Sequence, residues 1–176
     1  MAGNLNYETA NSWTYNDDPA NGNIYGRLYT WDAAITACPS GWHLPSDDEW
    51  MQLGNYVGAQ GFPPNGNVIN GAGNALKSCR QVNSPLGGDC NTTEHPRWSQ
   101  HSYHHGFDEF GFSAFPGGFR PSYDFYDLGD QGLWWSSTDY SLSGAWSWSI
   151  LSDSGDTGLT GYGSKASGYS VRCLKN

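Results

Sequence analysis

The sequence predicts a single α+β domain that is rich in loops, on the strength of three observations. Helical patterns lie near the start of the chain, and strand patterns lie near its end. Twenty-four glycines and nine prolines favour turns over long regular elements. The mean hydropathy of −0.62 is low, yet aromatic residues make up 15% of the chain, which indicates a folded core built from rings. The 176 residues are a normal length for one domain.

Two helices are predicted in the first third of the chain. The first is predicted within the run 28–38, where Thr30 is suited to cap it. The second begins at Asp47, because Ser46 and Glu49 have the spacing of a capping box. The expected buried faces consist of Trp31, Ala34, Ile35 and Cys38 in the first helix and of Trp50 and Leu53 in the second.

The rest of the chain is predicted to form turns and short strands. Residues 1–27 are polar and turn-rich, which predicts an extended surface segment. Strand-like runs occur at 110–115, 133–138, 145–151 and 169–174. Alternation within 145–151 predicts Trp146, Trp148 and Ile150 in the core, with Ala145, Ser147 and Ser149 facing solvent or a ligand.

The chain contains four cysteines: Cys38, Cys79, Cys90 and Cys173. Their wide spacing matches neither a zinc site nor a redox pair, and their even number predicts two disulfides and an oxidising compartment. Four buried free thiols are the alternative. Four cysteines allow three pairings, and their spacing alone does not choose among them. Cys79 and Cys90 flank a turn-like stretch that closes easily, which leaves Cys38 for Cys173.

Charge and hydropathy exclude several classes of partner. Eight basic and seventeen acidic residues give a formal net charge of −9, without the clustered basic side chains that nucleic acids and anionic membranes require. No apolar stretch in the sequence is long enough to span a membrane. Residues 1–4 lack the basic and apolar regions of a signal peptide, so an exported protein would carry its targeting segment outside this sequence.

Five segments follow one another along nearly the whole chain: 25–31 (YGRLYTW), 37–46 (ACPSGWHLPS), 108–120 (DEFGFSAFPGGFR), 134–138 (WWSST) and 168–173 (GYSVRC). Together they resemble the Fibrobacter succinogenes major paralogous domain family. The resemblance implies that residues 1–176 form one C-type-lectin-like domain, with two helices, a twisted antiparallel sheet and a Cys38–Cys173 bridge. It also implies a secreted or surface-attached bacterial protein. The family's usual strand before Asn4 is missing here, which implies that it was trimmed or that the terminal hairpin is completed differently.

Aromatic and polar residues of the late strands and loops are the candidates for ligand binding. Exposed tyrosine and tryptophan rings stack on sugars or anchor protein partners, and serine and aspartate supply adaptable polar contacts beside them. Nine residues are predicted to form this surface: Tyr123, Tyr126, Trp134, Tyr140, Ser147, Ser149, Asp153, Asp156 and Tyr162.

Metal binding and catalysis have less support. The histidines at 95, 101, 104 and 105 match no standard ligand spacing, so neither a metal site nor any other cofactor is predicted. A structural calcium ion is the exception with some support, because acidic loop oxygens are available at Asp17, Asp18, Asp153 and Asp156. Nucleophile-elbow, Walker and dinucleotide motifs are absent from the sequence, which predicts that the protein is not an enzyme.

The sequence therefore predicts an extracellular or cell-surface recognition domain that binds a glycan or a protein through residues 133–165. The alternative is a structural or adhesive domain of a surface layer, without a diffusible ligand. An enzyme on the scaffold of formylglycine-generating enzyme is the weakest hypothesis, because the late region offers Cys173 alone rather than a pair of redox cysteines.

Overall fold

The computed structural model describes residues 1, 3–65, 67–79 and 98–176, which have a mixed α+β architecture. The helices are α1 (Pro19–Tyr25), α2 (Trp31–Ala37), α3 (Asp47–Ala59) and α4 (Ala72–Leu76), with a short 3-10 helix at Tyr15–Asp17. The strands are β1 (Ser12–Trp13), β2 (Leu28–Tyr29), β3 (Trp42–His43), β4 (Gly117–Phe119), β5 (Tyr126–Leu128), β6 (Gln131–Asp139), β7 (Gly144–Leu151), β8 (Thr157–Ser164), β9 (Tyr169–Ser170) and β10 (Leu174–Lys175). No helix in this described part of the chain is long and apolar enough to cross a membrane.

Strand β6 is the centre of a curled eight-stranded sheet. It pairs antiparallel with β7 and parallel with both β4 and β9. The sheet continues from β9 to β2 and β1, and from β4 to β5. Strand β7 also pairs with β8, so β6, β7 and β8 form an antiparallel meander that ends at the β8 edge. Strands β3 and β10 form a separate two-stranded ribbon.

Aromatic rings build the core on both faces of the β6–β7 pair, as the composition predicts. On one face Trp134 and Trp148 are opposite each other in register, and Trp50 of α3 stacks on Trp148 with ring centroids 4.8 Å apart. Trp135 points to the other face, because side chains alternate along a strand, and it packs there with Tyr29. The indole N–H of Trp135 donates to the backbone oxygen of Tyr29 at 2.7 Å, which satisfies the buried polar atom.

Both predicted helices are confirmed together with their caps, except that Leu28 and Tyr29, at the start of the first predicted run, form β2. The Thr30 hydroxyl accepts a hydrogen bond from the Ala33 N–H at the start of α2. At the start of α3 the Ser46 hydroxyl accepts from the Glu49 N–H, and the Glu49 carboxylate accepts from the Ser46 N–H at 2.8 Å. The predicted burial of Ile35 is wrong. Ile35 is 40% exposed, and the buried residues of α2 are Ala34 and Ala37.

A disulfide bond joins Cys38, which directly follows α2, to Cys173, which directly precedes β10. The two Cα atoms are 5.8 Å apart, and the bond spans 135 residues of sequence. This is the bridge that the family resemblance implies. The predicted pairing of Cys79 with Cys90 lies outside the described residues, because Cys90 falls between the described ranges 67–79 and 98–176.

The prediction of an extended segment at residues 1–27 is wrong. The segment contains β1, the 3-10 helix and α1. The Asp18 side chain caps α1 by accepting a hydrogen bond from the Ala20 N–H at 2.9 Å, and Pro19 occupies the first turn. An Asp-Pro pair signals a turn and a helix start equally well, and here it starts a helix.

The predicted strand at 110–115 is also wrong. Gly111 and Ser113 have φ values of 63° and 50°, which interrupt an extended backbone, and Ala114 forms an isolated bridge with Lys77. In contrast, β8 was not predicted as a strand. Its glycines weaken the alternating pattern that identifies strands from sequence.

Candidate functional site

The predicted ligand-binding residues separate into exposed and buried groups. Tyr140 and Tyr162 lie together at the end of the meander that carries the β6–β7 turn, whereas Asp153 and Asp156 lie in the β7–β8 loop at its opposite end. Tyr123 and Tyr126 belong to the β4–β5 hairpin and are 87% and 46% exposed. The remaining three are buried: Trp134, Ser147 and Ser149.

The predicted exposure of Trp134, Ser147 and Ser149 is therefore wrong. Trp134 is 0% exposed, and each serine is 3% exposed. Strand β7 lies between β6 and β8, and both of its faces are covered, so the alternation of large and small residues along it does not separate core from solvent. Trp134 belongs to the aromatic core with Trp50 and Trp148.

Three rings form an exposed aromatic cluster: Tyr140, Trp146 and Tyr162. Trp146 of β7 and Tyr162 of β8 are partners in register, which places their side chains next to each other. The rings of Tyr140 and Tyr162 are parallel within 4°, with centroids 4.0 Å apart, and the Tyr140 ring meets Trp146 edge to face at 5.1 Å. Tyr140 remains 48% exposed and Tyr162 61% exposed, so the stack presents ring surface to solvent.

The β6–β7 turn holds Tyr140 in place. The N–H groups of Tyr140 and Ser141 both donate to the backbone oxygen of Gly144, at 3.1 and 2.9 Å. A side chain at Gly144 would approach the Tyr162 ring to 3.3 Å, so glycine at this position leaves room for the stack. Leu142 at the tip of the turn is fully exposed.

Charged groups and an open cavity adjoin the same turn. The Asp139 carboxylate, next to Tyr140, forms an ion pair with the Lys165 ammonium at 2.6 Å, and that ammonium lies 4.2 Å from the centroid of the Trp31 ring. A cavity of about 570 Å³ opens beside the turn, and Leu142 and Lys165 are among its lining residues, together with Trp13. The turn thus combines aromatic surface with polar groups and open space.

A polar cavity of about 250 Å³ lies at the opposite end of the meander. Its lining residues are Asn65, Ser149, Leu151, Ser154, Asp156, Thr157 and Gly158. Two predicted site residues, Ser149 and Asp156, therefore meet at one place although seven positions separate them in sequence. The Asp156 carboxylate accepts a hydrogen bond from the Asn67 N–H, which leaves oxygen lone pairs for a ligand.

The β7–β8 loop that shapes this polar cavity is held by the segment 67–77. The Asn67 side-chain oxygen accepts from the Ser154 hydroxyl at 3.1 Å and from the Gly155 N–H at 3.0 Å. The Gly73 N–H of α4 donates to the Gly155 oxygen at 2.8 Å. The loop is consequently fixed at several points rather than free to adapt.

Lys77, at the end of α4, is a completely buried lysine that sequence reasoning missed. Its ammonium donates to the side-chain oxygen of Asn74 and to the backbone oxygens of Ser152 and Ser154. Burial lowers the pKa of Lys77 to about 7, and the Asp153 carboxylate acts in the opposite direction. The buried charge faces the loop that carries two predicted ligand residues.

Two histidines, His101 and His104, stack on each other beside Asn74, which is a partner of Lys77. The rings of His101 and His104 stack with centroids 5.0 Å apart, and His104 Nδ1 is 3.2 Å from the side-chain nitrogen of Asn74. Within the described residues, no group of three or more His, Cys, Asp or Glu side chains is arranged to hold a metal ion. His95, the first of the four histidines considered for a metal site, lies outside the described residues. Of the four residues suggested as calcium ligands, Asp18 caps α1.

His105 is buried with both ring nitrogens unpaired among the described residues, and it is 4% exposed. Burial lowers the pKa of its imidazole, and the charges of Lys77 and His101 lower it further. We expect His105→Leu to raise the free energy of unfolding by about 1 kcal/mol, because it removes an unsatisfied buried donor and acceptor at nearly constant volume.

The gain from His105→Leu should increase below pH 6.5, the ordinary pKa of histidine. The folded state disfavours the imidazolium, so the wild type loses stability as the pH falls through the lowered pKa, whereas leucine does not titrate. Urea titrations at pH 8, 6 and 5 would measure both effects. His101→Leu is the matched control without a gain, since His101 Nδ1 accepts hydrogen bonds from the N–H groups of Tyr103 and His104. A lower stability of His105→Leu at every pH would contradict the prediction.

Comparison with known proteins agrees with the sequence resemblance. Searches of curated proteins and of solved structures each gave no significant match to this chain. The model of one family, the Fibrobacter succinogenes major domain, matches residues 2–175. This range includes the exposed aromatic cluster and the residues that line the polar cavity. The chain therefore belongs to the Fibrobacter succinogenes major domain family.

Proposed function

We propose that this chain is an extracellular recognition domain of C-type-lectin-like fold that binds a glycan at the aromatic cluster, without catalysing a reaction. The single observation that carries the proposal is the exposed stack of Tyr140 and Tyr162, in which Trp146 packs edge to face against Tyr140. A pyranose ring has an apolar face of C–H groups, and a rigid aromatic ring is the protein surface that matches it.

Three further features support a glycan ligand. The chain carries a net charge of −9 and has few aliphatic residues, so a neutral, weakly apolar ligand fits its surface better than an anionic one. Asp139 and Lys165 supply hydrogen-bonding groups next to the rings, as sugar hydroxyls require. The polar cavity at Ser154 and Asp156 offers a second place for hydroxyl groups along the β8 edge.

The location and the fold rest on separate arguments. A disulfide bond persists in oxidising compartments, so the Cys38–Cys173 bond favours a secreted or surface-attached protein. The bond also ties the end of α2 to the segment before β10, and Cys173 packs in one buried cluster with Trp135 of β6 and Ala145 of β7. This combination is the one expected of a C-type-lectin-like domain.

The test is a glycan array followed by titration calorimetry with the best glycan. We expect Tyr162→Ala to weaken binding at least tenfold, about 1.4 kcal/mol, because it removes the outer ring of the stack. Tyr140→Ala should have a comparable effect. The matched control is Tyr7→Ala, since Tyr7 is 62% exposed and Tyr162 is 61% exposed, yet Tyr7 lines a different cavity together with Leu5 and Pro39.

Selective glycan binding that survives both cluster substitutions would rule out this site. Binding of a protein ligand that depends on Tyr162, with no glycan bound, would favour the protein-ligand alternative. The fully exposed Leu142 gives the structural or adhesive alternative its own support. That alternative would hold if the array stays blank and the chain self-associates in sedimentation experiments in a manner abolished by Leu142→Ser.

A further inference from the structure

The strongest remaining feature is the polar environment of Lys77, which the aromatic cluster does not involve. The side chain is 0% exposed, although lysine is among the residue types least often buried. Its ammonium lies between α4 and the β7–β8 loop, at 3.0 Å from Asn74 Oδ1, 2.8 Å from the Ser154 oxygen and 3.3 Å from the Ser152 oxygen. The Trp98 ring centroid lies 5.4 Å from the same nitrogen.

The geometry matches a cation in number and type of partner. An ammonium has three donors and no acceptor, and the three oxygens are acceptors of the backbone and amide kind. Oxygen atoms of this kind are also the ones that hard metal cations select in loops. The aromatic ring on the remaining side favours a positive charge by its quadrupole.

Two of the hydrogen bonds of Lys77 join its ammonium to the backbone of the β7–β8 loop, which lines the polar cavity. Ser152 and Ser154 belong to the β7–β8 loop, and Ser154 lines the polar cavity next to Asp156. Asp153, which lies between the two bonded residues, contributes a negative charge near the ammonium. Lys77 therefore connects α4 to the backbone of a loop that contains two residues proposed above as calcium ligands from sequence.

We infer that the Lys77 ammonium serves as a built-in cation, which fixes the β7–β8 loop and shapes the polar cavity in the way a bound metal ion would. The inference goes beyond the proposed function, because it concerns the order of a loop and holds whether or not the aromatic cluster binds a glycan. It assigns to one protein side chain the task that the sequence suggested for calcium.

Hydrogen exchange of the amides at 152–157 tests the inference through chemical rescue. At pH 6, below the lowered pKa of Lys77, Lys77→Ala should increase their exchange at least tenfold, while Lys175→Ala, which removes an exposed lysine, should leave it unchanged. Added n-propylammonium restores the atoms that Lys77→Ala removes and should return protection to the loop. The neutral analogue n-propanol should fail to do so, because it fills the same space without the charge.

Three outcomes would overturn the inference. Loop protection in Lys77→Ala equal to that of the wild type would show that the ammonium does not fix the β7–β8 loop. Equal rescue by n-propanol would reduce the role of Lys77 to packing. A loss of loop protection in the wild type on adding EDTA would assign the role to a metal ion.

A measurement on the wild type covers the case in which Lys77→Ala does not fold. Nitrogen-15 spectra at pH 6 should show a Lys77 ammonium signal with slowly exchanging protons, since three hydrogen bonds shield it from water. A neutral amine signal, or an ammonium in fast exchange like that of Lys175, would contradict the inference as directly as the failed rescue.

Discussion

Replacing both Cys38 and Cys173 with alanine is expected to lower the free energy of unfolding by about 5 kcal/mol, on the chain-entropy account of disulfides. The bond closes a loop of 135 residues, so its removal frees most of the chain in the unfolded state. The local cost adds to this, because Cys173 is only 2% exposed and packs in the core with Tyr29 and Trp135. A loss of this size is comparable to the whole stability of many single domains.

Urea denaturation of the oxidised wild type and of the double variant measures the loss. The two single variants are the internal controls, because breaking the bond from either side should cost nearly as much as removing both cysteines. A double variant that loses less than about 1 kcal/mol would mean that the unfolded chain is already restrained in some other way. It would also weaken the proposal of a C-type-lectin-like fold, which rests in part on this bond.

Local signals explain why parts of the fold could be predicted. The caps of α2 and α3 each depend on residues within four positions of each other, such as Ser46 and Glu49, so their geometry is contained in the sequence. The aromatic core followed from composition alone. The Cys38–Cys173 bond is a different case, because cysteine spacing alone leaves three pairings open. The turn-like stretch between Cys79 and Cys90 favours this pairing only indirectly, and the family resemblance supports it.

Errors arose where the environment of a residue is set by distant parts of the chain. Alternation along β7 placed Ser147 and Ser149 at the surface, but β7 is flanked by β6 and β8 and covered on both faces. Nothing within 145–151 records that central position. The Asp18-Pro19 pair failed for another reason, because the same two residue types suit a turn and a helix start.

In the candidate site, too, local features could be predicted from the sequence, whereas features that depend on distant residues could not. The exposure of Tyr140 and Tyr162 could be predicted, but their stacking depends on the register of three strands. Alternation with Trp148 predicts Trp146 in the core, whereas its ring meets Tyr140 edge to face in the exposed aromatic cluster. Lys77 gave no signal, since its loop partners are backbone oxygens 75 and 77 positions away.

Replacing two helical glycines with alanine is expected to change the free energy of unfolding in opposite directions. Gly73 of α4 faces the β7–β8 loop, and a Cβ atom there would lie 2.2 Å from the backbone oxygen of Asp156 and 2.9 Å from that of Gly155. Alanine has the better helix propensity by about 1 kcal/mol. Overpacking against the backbone costs up to about 3 kcal/mol. Because this cost exceeds the gain in helix propensity, the net effect on stability is a loss. We expect Gly73→Ala to destabilise the protein and to displace the loop that lines the polar cavity.

Gly54 of α3 is the matched control. A Cβ atom at this position would meet Trp148 at 3.6 Å, an ordinary van der Waals contact, so Gly54→Ala should stabilise the protein by about 1 kcal/mol through helix propensity. Thermal and urea unfolding of both variants, with hydrogen exchange at 152–157, separates the two effects. If Gly73→Ala were as stable as Gly54→Ala and kept its loop protection, the close docking of α4 on the β7–β8 loop would be wrong. The polar cavity and the Lys77 contacts both require that docking, so they would have to be abandoned with it.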